Sequence, residues 1–288
     1  MNSLKKIIWL ASYPKSGNTW FRVFLSNLLN HSDQPANINN LYATPIASNR
    51  ELFDDATGIS SSELTFDEID ILRPFVYEFY ARSAEDLLYQ KIHDAWLYNG
   101  DKKPMFPSEI TKGVIYFIRN PLDVSVSFSH HLGKSNEEVV KFMADSSYSF
   151  GSNPNRFHLQ IRQRLLTWSE HIRSWVDESG LPIEVIRYED MKTNTFETFK
   201  RAINFLEISA TDDEIRKAIG FSDIKVLQEQ ESQQGFTEKP AKAATFFRKG
   251  IVGSWKTELT AEQIDAVCRN HKDMMMRFGY LGTDGKLI

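Results

Sequence analysis

The segment Y-P-K-S-G-N-T-W, from Tyr13 to Trp20, is rich in groups that bind anions. It joins a short apolar run, Ile7 to Ala11, to a helical pattern, so it is predicted to lie between a strand and a helix. Gly17 lets the chain turn and lets backbone N–H groups approach a ligand closely. The first turn of the helix adds unpaired N–H groups and the positive end of the helix dipole. The segment is therefore predicted to bind a phosphate-like anion, and the side chains that complete this site are those of Lys15, Ser16, Asn18 and Thr19.

The order of lysine and glycine separates this segment from an ATP-binding loop. The Walker pattern G-x-x-x-x-G-K-[ST] places the lysine directly after a glycine, whereas Lys15 stands two residues before Gly17. No D-x-D pair or Walker-B carboxylate is placed to hold Mg²⁺, so no metal is expected. An ATP-dependent P-loop kinase and a nucleotide-binding protein without catalytic activity stay open as alternatives.

A second predicted junction carries an arginine where its strand ends. Arg119 follows the apolar run Val114 to Ile118, and its guanidinium can bind a phosphate through two parallel hydrogen bonds. Ser127 lies about two helical turns further along and can face the same side. An ion pair with Asp123 at the start of the helix is the alternative role for Arg119.

A pair of basic residues precedes a glycine near the C-terminus. Arg248, Lys249 and Gly250 lie in the segment F-R-K-G-I-V-G-S-W, which follows a Gln/Glu/Ser-rich stretch. An arginine-lysine-glycine triplet in isolation is typical of a solvated turn, so its meaning depends on the other segments.

Lys91 and His93 form a K-x-H pattern at the end of a weaker candidate strand, Leu87 to Ile92. Two residues apart on an extended chain, they point to the same face. Histidine is the usual general base near neutral pH, which makes His93 the candidate base. The pair His130-His131 is a competing site, predicted to line a pocket or to lie on the surface. The other histidines of amphipathic patterns are predicted to be exposed or to pack between helices, and these are His158, His171 and His271.

Together these segments resemble the donor-binding motifs of sulfotransferases that use 3′-phosphoadenosine 5′-phosphosulfate (PAPS). All eight residues of Tyr13 to Trp20 fit the family motif Y-P-K-S-G-[TN]-T-W, and the segment from Arg119 to Ser127 fits R-[ND]-x-x-D-x-x-x-S. The third match is to R-K-G-x-x-G-[DS]-W. The motifs resemble those of bacterial small-molecule sulfotransferases more than those of animal hormone enzymes.

The resemblance implies a set of donor-binding and catalytic residues. It implies that Lys15, Ser16, Gly17, Asn18 and Thr19 bind the 5′-phosphosulfate, that Arg119, Ser127, Arg248, Lys249 and Gly250 bind the 3′-phosphate, and that Trp20, Tyr188 and Phe221 surround the adenine. For Phe221 a core position is the alternative. His93 is implied as the base, Lys15 and Lys91 as charge-stabilising groups, and Ser127 as a restraint on Lys15. The acceptor is implied to be a small molecule with a hydroxyl or amine.

Strands and helices that alternate along the chain predict an α/β fold with a parallel sheet. Besides the runs already described, Ile183 to Ile186 is a strand candidate, and a long helix is expected from Leu159 to Val176. The resemblance implies one P-loop-like sulfotransferase domain over residues 1–288, with a central parallel sheet flanked by helices. Two stretches are predicted to be irregular, Asn30 to Thr65 and Ser222 to Phe247. Both are interpreted as mobile lids, and simple surface excursions are the alternative.

Composition limits the partners and the compartment. A formal net charge of −4 does not favour a nucleic-acid surface. The sequence has a single cysteine, Cys268, and no targeting or membrane-spanning segment is evident. A cytoplasmic protein is expected, and its oligomeric state stays open.

Overall fold

The central sheet has four strands within the part of the chain that this computed structural model describes, residues 5–153, 155 and 157–288. These strands lie in the order β2-β1-β3-β6, and β1 pairs with β2 in parallel. The strands of the chain are β1 (Ile7–Ser12), β2 (Leu88–Ile92), β3 (Thr111–Ile118), β4 (Ser149–Phe150), β5 (Gln163–Arg164) and β6 (Ile183–Arg187). β4 and β5 form a separate antiparallel pair.

The helices lie between the strands and after the last strand along the chain. They are α1 (Asn18–Leu29), α2 (Arg50–Thr57), α3 (Phe66–Ser83), α4 (Pro121–Leu132), α5 (Asn136–Met143), α6 (Trp168–Arg173), α7 (Tyr188–Thr193), α8 (Thr195–Phe205), α9 (Asp212–Phe221), α10 (Ile224–Gln234), α11 (Trp255–Glu258) and α12 (Ala261–Arg277). A π-helical turn, Ser174–Glu178, continues α6. Within the described ranges no helix has both the length and the apolar character needed to cross a membrane.

The chain divides into two compact units. Unit 1 consists of the described residues of Met1–Tyr13, Ala43–Tyr116 and Ser146–Val185. Unit 2 consists of Pro14–Tyr42, Phe117–Asp145 and Ile186–Ile288. The expectation of one domain over residues 1–288 stays a prediction, and its first four residues lie outside those that the structure describes.

The core of unit 1 contains large aromatic side chains. Trp9 of β1 meets both Tyr77 of α3 and Phe106 edge-to-face, with ring centroids 5.1 Å apart in each pair. Trp175 stacks on Phe106 at 5.0 Å. Aromatic pairs at such distances add to the stabilisation from burial alone, so α3 and the π-helical turn both pack into this core.

A second aromatic cluster forms the core of unit 2. Phe24 of α1 lies 4.4 Å from Phe199 of α8, and Phe21 lies 5.1 Å from Phe117 at the end of β3. These rings fix α1, whose first three residues, Asn18 to Trp20, end the predicted anion-binding segment. The packing therefore positions the helix that the predicted site depends on.

Most strand predictions are confirmed, because short β-branched and aromatic runs are typical of buried parallel strands. β1, β2, β3 and β6 coincide with the four predicted runs to within a few residues. The predicted helices that follow β1, span Phe196 to Leu206 and end the chain correspond to α1, α8 and α12. The α/β fold with a central parallel sheet is confirmed.

The expected long helix from Leu159 to Val176 is wrong in its first half. Gln163–Arg164 is a strand and helix α6 begins only at Trp168. Thr167 caps α6, since its side chain accepts from the backbone N–H of Glu170 while Glu170 bonds back to the Thr167 N–H. Such a capping box is a strong start signal. His158 consequently lies outside any helix, whereas His171 and His271 are buried in α6 and α12.

Neither stretch predicted to be irregular is irregular throughout. Residues 30–65 contain α2 and a short 3-10 turn, Ser61–Glu63. Residues 222–247 contain α10, capped by the side chain of Asp223. Their polar composition concealed these helices, because an exposed helix with few apolar residues lacks a clear 3.6-residue pattern. Whether either stretch moves as a lid stays a prediction.

Candidate active site

The loop between β1 and α1 has the geometry of an anion site. Lys15 and Gly17 both adopt positive φ angles, 70° and 103°, and α1 begins at Asn18. Gly17 is the N-cap and supplies no capping side chain, and the first turn of α1 contains no acidic residue. The first N–H groups of α1 and the positive end of its dipole therefore favour a negatively charged ligand.

Ser16 gives this loop a buried donor. Its side chain is fully buried, and its Oγ has no hydrogen-bond partner among the residues that the structure describes. A buried hydroxyl without a partner costs free energy, so a ligand oxygen in the loop would stabilise it. Thr19, half-buried in the first turn of α1, adds a second hydroxyl to this region of the chain.

Gly17 is required here for two reasons. At φ 103° a residue with a Cβ is strained. A Cβ at this position would also lie 2.8 Å from Cδ2 of Tyr188, the first residue of α7. The loop thus approaches Tyr188 as closely as a bare backbone allows.

Arg119 connects the loop to the C-terminal part of unit 2. Its guanidinium donates to the carbonyl oxygens of Lys15, at 3.3 Å, and Ile251, at 3.0 Å. It also lies 4.2 Å from the ring centroid of Tyr188. Its Nε has no partner within the described ranges of the chain, which leaves a buried, charged donor in the same region as the loop.

The alternative role for Arg119, an ion pair with Asp123, accounts for only part of the contacts of either residue. The two side chains approach to 3.8 Å. Asp123 is more closely bound to the segment before and at the start of α11, where it accepts from the Gly253 N–H at 2.8 Å, the Ser254 hydroxyl at 3.0 Å and the Trp255 N–H at 3.2 Å. Sequence analysis missed this role. Asp123 holds the end of the R-K-G segment against α4.

The basic residues of the R-K-G segment converge on one carboxylate. Glu258 accepts from Lys249 Nζ at 2.9 Å and pairs with Arg248 Nη1 at 3.4 Å. His130 Nε2 lies 2.9 Å from the same carboxylate. Burial raises the pKa of Glu258, but the bonds from His130, Lys249 and Arg248 outweigh it and hold the pKa at about 2. Gly250 follows at φ 58°. His130 is thus part of this cluster, while His131 lies beside Phe246 with ring centroids 6.2 Å apart.

The residues predicted around the adenine lie on three helices of unit 2. The indole N–H of Trp20 donates to the Ser222 carbonyl at 3.0 Å, and its ring lies 6.1 Å from that of Tyr188. Tyr188 is buried, and burial raises the pKa of its hydroxyl. Phe221 is half-buried at the end of α9, which is not the fully buried core position of the alternative.

Two further predicted residues lie in unit 2. The ammonium of Lys15 lies 4.2 Å from the ring centroid of Phe246, within cation–π distance. Ser127 is half-buried on α4. The predicted restraint of Lys15 by Ser127 stays a prediction. Unit 2 therefore contains every residue predicted to bind the donor.

The candidate base lies in unit 1. His93 directly follows β2, and its Nδ1 is 2.9 Å from the carbonyl oxygen of Ser12, the last residue of β1. A carbonyl only accepts, so Nδ1 carries the proton and Nε2 is the nitrogen with the lone pair. His93 is therefore in the tautomer that can take a proton at Nε2. Lys91, half-buried, is the fourth residue of β2.

The described residues contain no cluster of three or more His, Cys, Asp or Glu side chains arranged to hold a metal ion. The independence of metal expected from the sequence stays a prediction. The side chains of the loop are hydroxyl, amide and ammonium groups, which suit an anionic ligand rather than a cation.

A family model described as Sulfotransferase domain matches residues 5–279, so the chain belongs to the sulfotransferase family. The resemblance of the motifs is thereby confirmed. Sulfotransferase 2A6 of Rattus norvegicus is 32% identical over 180 residues, which are 61% of this chain and 60% of that protein. Cytosolic sulfotransferase 15 of Arabidopsis thaliana is 25% identical over 285 residues, covering 91% of this chain and 70% of that protein. The match to the rat relative thus spans about three fifths of its length.

Solved structures share the fold. Mouse sulfotransferase SULT7A1 complexed with PAP, the 3′,5′-bisphosphate product of PAPS, matches with a TM-score of 0.59 at 18% identity, over 97% of this chain and 85% of that one. Retinol dehydratase in complex with androsterone and inactive cofactor PAP matches with a TM-score of 0.59 at 15% identity, over 93% of this chain and 80% of that one. At these identities the likeness establishes the fold.

Proposed function

We propose that this protein is a PAPS-dependent sulfotransferase that moves a sulfuryl group to a hydroxyl or amine of a small-molecule acceptor. The observation that carries the proposal is the loop of Lys15, Ser16 and Gly17, in which a positive-φ glycine leaves the start of α1 uncapped beside a buried hydroxyl. The buried guanidinium of Arg119 supports a ligand with more than one anionic group. Two structural neighbours were solved with PAP, which is such a ligand.

The reaction forms a bond between sulfur and the acceptor oxygen or nitrogen and breaks the bond between sulfur and the bridging oxygen of PAPS. The acceptor proton passes to Nε2 of His93, and PAP leaves with the electron pair of the broken bond. Like phosphoryl transfer, such a step depends mainly on positioning and on charge stabilisation. In this scheme Lys15 neutralises the departing phosphate oxygen, Lys91 interacts with the sulfuryl oxygens, and Ser127 restrains Lys15.

PAP is expected to stabilise the protein without added metal. At about 100 times its Kd a ligand adds about 2.7 kcal/mol to the free energy of unfolding, which corresponds to several degrees in Tm for a chain of this size. Thermal unfolding with PAP, with ATP plus Mg²⁺ and with EDTA tests this. Equal stabilisation by ATP with a strict need for Mg²⁺ would instead favour a kinase. PAP binding without any transfer from labelled PAPS to phenols, alcohols, sugars and amines would favour a non-catalytic binding protein.

Replacing Gly17 by alanine is expected to weaken PAP binding. A residue with a Cβ at this positive φ is strained by roughly 1–2 kcal/mol, so the free loop of the variant is expected to relax to another shape. PAP must restore the original shape when it binds, which lowers the affinity about tenfold. The clash with Tyr188 adds to this cost. Titration calorimetry with PAP measures the loss.

Gly235→Ala is the matched control for that change. Gly235 has a similarly positive φ of 73°, and no described atom outside the glycine and its two chain neighbours lies within 4 Å of the point that a Cβ would occupy there. The control should lose stability but keep its affinity for PAP. If both variants bind PAP as the wild type does, the loop is not the donor site.

The acceptor class and the surroundings of the protein are also part of the proposal. Relatives include a flavonol 3-sulfotransferase of Flaveria bidentis and a 3-alpha-hydroxysteroid sulfotransferase of Cavia porcellus. Hydroxyl-bearing ring compounds are therefore the first acceptors to screen. We place the protein in the cytoplasm, as the names of two plant relatives state for those proteins. No nucleic-acid partner is expected at a net charge of −4.

A further inference from the structure

The chain that carries the candidate base is irregular and buried. After β2 ends at Ile92, residues 93–96 belong to no helix or strand, and Asp94, Ala95 and Trp96 are buried. Buried backbone groups outside regular structure need other hydrogen-bond partners. The partners of this segment therefore determine where the main chain of His93 lies.

Three side chains of one helix face supply three of these partners, while the Ala95 N–H donates to the Arg164 carbonyl. His171 Nε2 donates to the His93 carbonyl at 3.0 Å, and the indole N–H of Trp175 donates to the Asp94 carbonyl at 2.9 Å. The Ser174 hydroxyl accepts from the Trp96 N–H at 3.0 Å. These side chains stand at positions i, i+3 and i+4 of α6 and its π-helical turn, so they share a face. The face binds successive backbone groups of the irregular segment.

His171 is itself held in one tautomer by Tyr116 of β3. The Tyr116 hydroxyl lies 2.8 Å from His171 Nδ1. Because Nε2 must carry the proton that it donates to the His93 carbonyl, Nδ1 accepts from the hydroxyl. Burial lowers the pKa of His171 to about 4, so its imidazole is neutral near pH 7. His171 therefore acts as a fixed donor and not as a second base.

The chain of bonds continues to the ring of His93. Its main chain is fixed at the carbonyl by His171, and its ring is fixed at Nδ1 by the Ser12 carbonyl, at 2.9 Å. Two fixed points set both the position of the residue and the orientation of the ring. A general base needs its lone pair within about 2.6–3.2 Å of the proton that it takes, so both points bear on the reaction.

We propose that His171, oriented by Tyr116, is a positioning residue for His93. This inference rests on the proposed sulfotransferase function, in which His93 is the base. A displacement of about 1 Å in a reacting group costs about 100-fold in rate. Loss of the bond to the His93 carbonyl should therefore lower kcat and leave the Kd for PAP and the KM for PAPS unchanged.

Two conservative variants distinguish this role from simple packing. In His171→Gln the amide nitrogen can occupy the place of Nε2 and keep the bond to the His93 carbonyl. In His171→Asn the side chain is one methylene shorter, so its amide nitrogen occupies the place of Nδ1 and this bond is lost. We expect kcat to fall about 10- to 100-fold in His171→Asn and to be largely restored in His171→Gln. Ile172→Val is the matched control, since Ile172 is equally buried on α6. It should keep the wild-type kcat.

Equal losses in the Asn and Gln variants, or an equal loss in Ile172→Val, would overturn the positioning role. A second readout does not depend on turnover. Nitrogen-15 spectra of labelled histidine should show His93 protonated at Nδ1 in the wild type and in His171→Gln, and shifted towards the Nε2–H tautomer in His171→Asn. An unchanged His93 signal in His171→Asn would also overturn it. If the wild-type protein transferred no sulfuryl group, only the proposed function would be contradicted. The tautomer measurement would still test whether His171 positions His93.

Discussion

The variant His93→Asn is expected to bind PAP with wild-type affinity and to lose about 100- to 10,000-fold in kcat, the usual contribution of a general base. The asparagine amide can still donate to the Ser12 carbonyl, as His93 Nδ1 does at 2.9 Å. It has no basic nitrogen, however, so it cannot accept the acceptor proton. The change thus removes the base and retains the structural bond. Single-turnover transfer from labelled PAPS, together with calorimetric titration of PAP, separates the two effects.

His158→Asn is the matched control for this variant. His158 also lies in unit 1, outside any helix, and belongs to none of the predicted motifs. Its loss should leave kcat unchanged. If His93→Asn turned over at the wild-type rate, His93 would not be the base. If it lost PAP binding as well, His93 would have to act on the donor and not on the acceptor.

The geometry of the candidate anion-binding loop could be predicted from the sequence because its determinants are local. The end of β1, the positive-φ Gly17 and the start of α1 lie within the few residues from Ser12 to Asn18, so their geometry follows from the chain itself. The same holds for Arg119 at the end of β3. A residue that directly follows a strand lies at the carboxyl edge of the sheet, where α/β folds bind their ligands.

Partners that are distant in sequence could not be predicted. Asp123 accepts from two backbone N–H groups and one hydroxyl of residues 253–255, 130 or more residues away, and nothing in its own segment specifies these contacts. His171 was predicted in a helix but not as the partner of His93, since an amphipathic pattern shows which residues are buried and not what they touch. Glu258, which binds both basic residues of the R-K-G segment, gave no signal at all.

Helix α3 was missed for a related reason. It buries polar side chains, Asp70 and Arg73, and contains Pro74 in its interior, while Phe75 and Phe79 are exposed. Proline is disfavoured inside helices, and buried charges with exposed aromatics reverse the usual pattern. Its start signal was nevertheless present in the sequence, because Thr65 and Glu68 have the spacing of a capping box.

Arg73 of α3 is expected to be the most sensitive position for stability. Its guanidinium forms two bonds to the Asp94 carboxylate, at 2.8 and 2.7 Å, and both side chains are fully buried. Removing one partner leaves an unpaired buried charge, which costs about 3–5 kcal/mol. Arg73→Met should lower the free energy of unfolding in urea by this amount. The change also concerns function, because Asp94 follows His93 directly.

Arg82→Met, the same substitution on the same helix, provides the comparison. Arg82 is exposed and lies 3.8 Å from Glu78, so its loss should cost less than about 1 kcal/mol. The double variant Arg73→Met with Asp94→Asn should recover part of the loss, because it removes the unpaired charge while the amide oxygen can still accept from the Arg164 N–H. Should Arg73→Met fail to fold, Arg73→Lys retains the charge and permits the same measurement. If Arg73→Met lost no more unfolding free energy than Arg82→Met, the pair would not be needed to hold the segment after β2. A buried carboxylate left without its partner is inexpensive only where water reaches it.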